Sequence, residues 1–314
     1  MKLIIFICTN FAGQWFFQAE IINANQQEVL SMGIAIISDT DTSLPRKSLD
    51  EYGISQVSIT IHFGDEILKA CSGITDEELV ERVIRDGVLP TTAAPSPGDF
   101  SEAFQEAFDK GADEIICLTV SAGVSATYQS AVTAAELFPG KKITIVDTET
   151  ISMGQGFIVL KAAEMARSGK NVEEIIEEVK EVREKTHLFA ALDTLKFMAM
   201  SGRVGSLSAE MAALMSIKPI LTIKDGKLEL LEKVRTRKKA WARILELTAV
   251  RLGDGEFDSI FILHVAANQS ADDFEKLLRE VVPCPEYIPR TELSPGLSVH
   301  TGGGLVGIAF TTKS

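Results

Sequence analysis

Leu118-Thr-Val-Ser-Ala-Gly-Val-Ser-Ala-Thr-Tyr-Gln-Ser-Ala131 continues from the apolar run Ile115-Ile116-Cys117-Leu118. The run predicts a buried strand. After it come hydroxyls at Thr119, Ser121, Ser125 and Thr127, and then Tyr128, Val132, Ala135 and Leu137 open a helix-like pattern. A strand that enters a helix through a short polar loop aims backbone N–H groups at the mouth of a parallel sheet, a place suited to an anion. No Lys or Arg occurs between 111 and 140. An anion held by this segment is therefore held by hydroxyls and amides.

On the N-terminal side, Ile34-Ala-Ile-Ile37 predicts a second buried strand, ending in Ser38-Asp-Thr-Asp-Thr-Ser43. Asp39 and Asp41 there either cap the next turn or face a ligand at the strand end. Val57, Ile59, Ile61 and Phe63 alternate with polar residues, a half-exposed strand that leaves His62 towards solvent. Thr75 and Glu78 form a capping box for a helix stopped by Gly87. Three prolines between Leu89 and Pro97 predict a stiff extended loop carrying Thr91 and Thr92. Ser96 and Pro97 then start an amphipathic helix through Phe100, Ala103, Phe104, Ala107 and Phe108.

On the C-terminal side, Ile143–Val146 predicts a strand, with helices near 153–167 and 172–185. Strands alternating with helices are the signature of a parallel sheet. Near 187 the pattern changes. Leu188–Leu192 is a strand, Ser201-Gly-Arg-Val-Gly205 a basic turn, and Ser208–Met215 a short helix. Asp225-Gly226 between two apolar runs predicts a β-hairpin. Helices near 237–252 and 271–280 and strands at 260–264 and 306–311 complete the chain. The expected fold class is α/β: an N-terminal parallel-sheet α/β domain (32–186) and a C-terminal α+β domain (187–314). Residues 1–31, whose apolar core Leu3–Ile7 is too short for a usual export signal, read as an N-terminal extension or a mis-called start.

The 314 residues carry a net charge of −13, which disfavours nucleic acid as a partner, since phosphate binding needs clustered positive charge. The basic run Arg235-Thr-Arg-Lys-Lys239 reads as a local patch or partner contact at a helix start, not a polyanion site. No apolar run reaches the ~18 residues of a membrane span, and a cytoplasmic location is expected. Four cysteines without C-x-x-C spacing and four separated histidines imply no disulfide framework and no metal site, and no cofactor is expected.

Gly302-x-Gly304-x-x-Gly307 matches a dinucleotide fingerprint in letters only, because too little chain follows for a helix and an acidic ribose partner. Gly123-Val-Ser125-Ala-Thr127 resembles a nucleophile elbow without its last glycine, and no Walker A sequence is present. Arg203 is either an anion clamp or part of a helix end.

Together these segments resemble the DegV family of bacterial fatty-acid-binding proteins. Ile36-Ile37-Ser38-Asp39-Thr40 is similar to the family's first strand and turn. Thr92-Ala-Ala-Pro-Ser-Pro-Gly-Asp-Phe100 resembles its T-S-Q-P-S-P-G-[DE]-F segment. Ser121–Ala131 resembles S-S-x-L-S-G-T-Y-Q-S-A, and His300-Thr-Gly-Gly-Gly304 resembles H-T-G-P-G. Gly202-Arg203 and Lys218–Lys227 match between them. The resemblance covers residues 32 to about 312.

The resemblance implies a two-domain protein with one long-chain fatty acid in an apolar tunnel between or beside the domains. Family members that serve as kinase-binding subunits present the carboxyl group to a separate ATP-dependent fatty-acid kinase, which makes acyl phosphate for phospholipid synthesis. The chain itself is then a substrate carrier and not an enzyme. Carried over residue by residue, Thr92 and Ser125 bond the carboxylate, with Ser121 nearby. Arg203, His300, Thr301, Gly302 and Gly304 map to the head group and the partner-facing mouth. Ala93, Ala94, Ala126 and Gly303 depart from the pattern, so fewer head-group donors are expected. Two other readings compete: an enzyme acting on an acyl substrate through Ser125 and His300, and a lipid carrier or regulator unrelated to phosphorylation.

Overall fold

The structure, a computed structural model, describes residues 3–11, 14–22, 33–202 and 217–313. The expected turn beyond Gly202, including Arg203, and the expected helix Ser208–Met215 lie outside the described residues. Strands β1 (Leu3–Phe11) and β2 (Gln14–Ile22) pair with each other in a separate antiparallel sheet.

The apolar run after Gly33 forms β3 (Ile34–Asp39). A 3-10 turn over Thr40–Thr42 follows, capped by the Asp39 carboxylate, and leads to α1 (Arg46–Tyr52) and β4 (Ser55–Val57). The alternating stretch continues as β5 (Thr60–Phe63) and turns at Gly64 into β6 (Glu66–Lys69). His62 is half-buried there and its ring bonds to the Thr60 hydroxyl at 2.8 Å, so the solvent expected for it is partly replaced. The predicted capping box starts α2 (Asp76–Asp86), which ends at Gly87 in the left-handed region. The proline-framed segment holds a short strand, β7 (Thr91–Ala93), paired antiparallel with β5 so that Thr92 lies opposite Ile61.

Ser96 caps α3 (Pro97–Asp109), followed by β8 (Glu114–Thr119), α4 (Thr127–Ala135) and β9 (Lys142–Asp147). Leu137 falls beyond the end of α4 and is exposed, outside the helical face expected for it. Strands β4, β3, β8 and β9 lie side by side in that order, all parallel.

Helices α5 (Ser152–Arg167) and α6 (Val172–Lys185) lead into β10 (Thr186–Ala191) and α7 (Lys196–Met200). The Asp-Gly hairpin joins β11 (Lys218–Lys224) to β12 (Lys227–Val234). Then come α8 (Arg237–Leu252), β13 (Phe257–His264), α9 (Asn268–Val281), β14 (Arg290–Glu292), α10 (Pro295–Thr301) and β15 (Val306–Thr312). The second sheet runs β12-β11-β10-β15-β13-β14 and is mixed, with β13 and β14 its parallel pair.

Five layers result. On the outer face of the first sheet, Ala35, Ile37, Ile115 and Cys117 pack on Phe100 and Phe104 of α3 and on Ala131 of α4. The opposite face, with Ile36, Ile116 and Leu118, meets Met153, Phe157 and Ile158 of α5. That cluster continues into Leu188, Ala190, Leu263 and Ala309 on the inner face of the second sheet. The outer face of the second sheet, with Phe189, Ile262 and Phe310, is covered by Trp241 and Ile244 of α8 and Phe274 of α9. Alternation along each strand thus sends successive side chains to different layers. Every residue of α5 from Ser152 to Val159 is buried, as a helix covered on both sides requires.

Candidate functional site

The carboxyl ends of β3 and β8 are tied together by Asp39. Its carboxylate accepts the N–H of Val120 at 2.7 Å, the N–H of Asp41 at 2.9 Å and the side-chain amide of Gln155 at 3.2 Å. Burial pushes the Asp39 carboxyl above its usual range, and these bonds offset part of the rise. Asp41 is buried beside it and is pushed up by burial and by the Asp39 charge, while the Ser294 hydroxyl donates to it at 2.6 Å.

Beyond β8 the loop is fixed by its own hydroxyls. Ser121 is fully buried, donates to the Gly226 carbonyl at 2.5 Å and accepts the Gly123 N–H at 3.1 Å. Ala122 N–H is held by Asp147 at 3.2 Å. A Cβ on Gly123 would overlap the Gly226 carbonyl, so the loop and the hairpin turn meet backbone to backbone. Asp225 and Gly226 both have positive φ, the geometry a two-residue hairpin turn requires. At the start of α4, the Ser125 oxygen accepts the Thr127 N–H at 3.3 Å and lies 2.8 Å from the Thr127 hydroxyl.

A cavity of about 950 Å³ opens beside this loop. Thr92, Ser125, His300 and Thr301 all line it, together with Gly123, Val124 and Lys227. Much of its wall is apolar and comes from the second sheet and its neighbours, including Leu188, Leu221, Leu263, Met198 and Leu297. Thr92 Oγ1 and His300 Nε2 are 3.1 Å apart, although 208 positions separate them in sequence. His300 sits on α10, which no local pattern announced. A Pro-Gly start and only seven residues left it hidden.

The remaining expected residues take other places. Ser121 spends its hydroxyl on the hairpin and is not among the cavity-lining residues. Gly302 ends α10 with φ of 71°, and a Cβ there would overlap the Phe197 ring of α7. A Cβ on Gly304 would come within 2.6 Å of Asp193 Oδ2. These two glycines seat the His300 segment against α7 and the turn before it.

Lys227 is the cation that reading along the chain passed over. Residues 111–140 carry no positive charge, yet the hairpin brings Lys227 to the cavity, with its Cγ 3.3 Å from where a Gly123 Cβ would stand. Lys227 is exposed and makes no ion pair among the described residues. The arrangement offers neutral hydroxyls, an imidazole and one flexible ammonium at the polar part of a largely apolar cavity. It suits a ligand with an anionic head and a long hydrocarbon body. His300 hydrogen-bonds Thr92, and no bond from it to Ser125 is formed in this structure.

Comparison with known proteins covers nearly the whole of this architecture. A DegV domain-containing protein of Streptomyces coelicolor is 33% identical over 284 residues, 90% of this chain and 100% of the relative. A DegV family protein from Thermus thermophilus, whose solved structure is described by its fatty acid binding, superposes with a TM-score of 0.82. It is 29% identical, and the match covers 89% of this chain and 99% of that one. Bacillus subtilis DegV, described as a fatty acid binding protein, superposes with a TM-score of 0.80 at 27% identity, covering 90% and 100%. The family model described as an uncharacterised protein of the DegV family matches residues 33–313, from the first strand of the parallel sheet to the last strand of the mixed one. The chain therefore belongs to the DegV family.

Proposed function

We propose that this protein holds one long-chain fatty acid in the cavity and presents its carboxyl group to a separate ATP-dependent fatty-acid kinase. The observation that carries the reading is the convergence of Thr92, Ser125 and His300 on one largely apolar cavity. Burying a palmitate-sized tail at ~0.8 kcal/mol per methylene offers roughly 10 kcal/mol before ordering costs. A carboxylate buried without partners would cancel several kcal/mol of that. The hydroxyls of Thr92 and Ser125 and the His300 ring supply those partners, and Lys227 adds a positive charge at the cavity.

Ser121 works one step back, by fixing the loop that carries Ser125. Gly302 and Gly304 set the position of the His300 segment, and the family resemblance assigns Thr301 and Arg203 to the partner-facing mouth. In the kinase step a carboxylate oxygen attacks the γ-phosphorus of ATP, the bond to ADP breaks, and acyl phosphate leaves for phospholipid synthesis. Hydroxyl donors suit this use, since they hold a carboxylate without neutralising its nucleophilic oxygen. The chain is a carrier in this reading, with residues 32–186 and 187–314 as its two parts, and works in the cytoplasm, where ATP is available. No helix among the described residues is long and apolar enough to cross a membrane.

Mass spectrometry of an organic extract from natively purified protein tests the lipid part. A long-chain acid is expected. An empty extract, with no fatty-acid binding after delipidation, refutes it. The kinase part is tested by ATP-dependent acyl-phosphate formation with a fatty-acid kinase, expected to fall with Thr92→Ala plus Ser125→Ala. Turnover of acyl substrates by the isolated protein would favour an enzyme using Ser125 and His300 instead.

A further inference from the structure

Asp41 is a carboxyl group on the wall of the cavity that the head-group argument does not use. It is 5% exposed and yet lines the cavity. Its Oδ1 accepts the Ser294 hydroxyl at 2.6 Å. Its Oδ2 has no hydrogen-bond partner among the described residues. Helix α10 closes over it, so that a Cβ on Gly296 would come within 2.5 Å of Oδ1. Burial and the neighbouring Asp39 favour the protonated form. A neutral carboxyl offers both a donor and an acceptor to whatever occupies the cavity.

Against an unbroken hydrocarbon chain that capacity is wasted, and a desolvated polar group without a partner costs about 1–3 kcal/mol. A hydroxyl on the ligand would recover it. Its position on the chain follows from α10. Gly296, which packs on Asp41, and His300, at the head group, share one helix face and are separated by about one turn, roughly 6 Å. The matching hydroxyl therefore lies close to the carboxyl end. We propose that Asp41 forms a second polar subsite that selects long-chain acids carrying a hydroxyl near the carboxyl group, such as β-hydroxy acids, over unsubstituted ones. The proposal rests on the fatty-acid reading of the same cavity.

The test displaces a fluorescent fatty acid from delipidated protein with palmitate, β-hydroxypalmitate or ω-hydroxypalmitate. β-Hydroxypalmitate is expected to bind about 10-fold tighter than palmitate, a difference of ~1.4 kcal/mol, and ω-hydroxypalmitate weaker than palmitate. Asp41→Leu should bring the ratio of the β-hydroxypalmitate and palmitate constants to about one, whereas Asp41→Asn, still polar, should keep it within about threefold of wild type. A wild-type ratio near one, an equal gain for ω-hydroxypalmitate, or an unchanged ratio in Asp41→Leu overturns the subsite while leaving the fatty-acid reading intact. Failure of all three acids to bind overturns the fatty-acid reading itself. Should a variant fail to fold, the wild-type ratios decide alone.

Discussion

Ser125→Ala should weaken palmitate binding by roughly 10- to 150-fold, the equivalent of one hydrogen bond to a charged group at about 1.5–3 kcal/mol. The Ser125 oxygen already accepts the Thr127 N–H at 3.3 Å and stands 2.8 Å from the Thr127 hydroxyl. When Thr127 donates, the Ser125 proton is free to reach a carboxylate, and the two hydroxyls polarise each other in a chain. Thr127 is fully buried. In Ser125→Ala its hydroxyl loses that partner in the free and the bound protein alike. This cost, about 1–2 kcal/mol, enters stability and cancels from the dissociation constant. Thr127→Val leaves the Ser125 donor in place and removes only its polarisation, so binding should weaken by no more than about fivefold if cooperativity adds 10–30% to the bond. The assay is displacement of a fluorescent fatty acid, with urea unfolding of each variant as the parallel measurement. The reasoning fails if Ser125→Ala binds within about threefold of wild type, or if Thr127→Val is the more damaging of the two.

Three further outcomes are expected. Asp76 is 3% exposed, and burial pushes its carboxyl from 3.8 up to about 8. The folded protein then holds a proton that the unfolded chain releases. Stability should therefore fall as pH rises through the window from about 4 to about 8, by up to ~1.4 kcal/mol per pH unit for this group. Asp76→Asn should flatten that fall in urea unfolding at pH 5, 6.5 and 8, and parallel profiles for the two proteins would refute it. Gly302→Ala must hold a left-handed residue against the Phe197 ring, so stability should drop by about 2–4 kcal/mol. Binding should weaken with it, because Met198 on the same short helix lines the cavity; a loss below about 0.5 kcal/mol would contradict the contact. Ser121→Ala strands the Gly226 carbonyl and the Gly123 N–H, at about 1–3 kcal/mol. Faster amide exchange across residues 224–228 is the outcome that would report it, and unchanged exchange would argue against the tie.

Much of the architecture could be read locally. The capping box at Thr75 and Glu78, the Ser96-Pro97 helix start and the Asp225-Gly226 hairpin are signals carried within four residues, and each stands where it was expected. What escaped depends on distant partners. β7 is a strand only because β5 lies beside it, so its proline-framed sequence reads as loop. α10 owes its place to packing between α7, α2 and the 3-10 turn, not to a periodic pattern of its own. The site follows the same division. Thr92, Ser125 and His300 could be grouped through a family resemblance, whereas Lys227 and the Asp41–Ser294 bond join residues that no spacing connects. Ser121 bonds the Gly226 carbonyl across 105 positions, a tie that its own loop does not announce. A hydroxyl in a binding-like loop is equally a bolt between two backbones, and sequence has no means to tell the two apart.

The burial of α5 bears on how the chain can be divided. A helix covered on two sides belongs to neither neighbour alone, and its first eight residues are all buried. Splitting the chain at the 186/187 boundary would part Met153, Phe157 and Ile158 from Leu188, Ala190 and Leu263 of the same apolar cluster. That boundary marks a change of sheet, and one apolar cluster crosses it. Unfolding should accordingly proceed in a single transition, with a denaturant sensitivity set by the combined surface of both sheets.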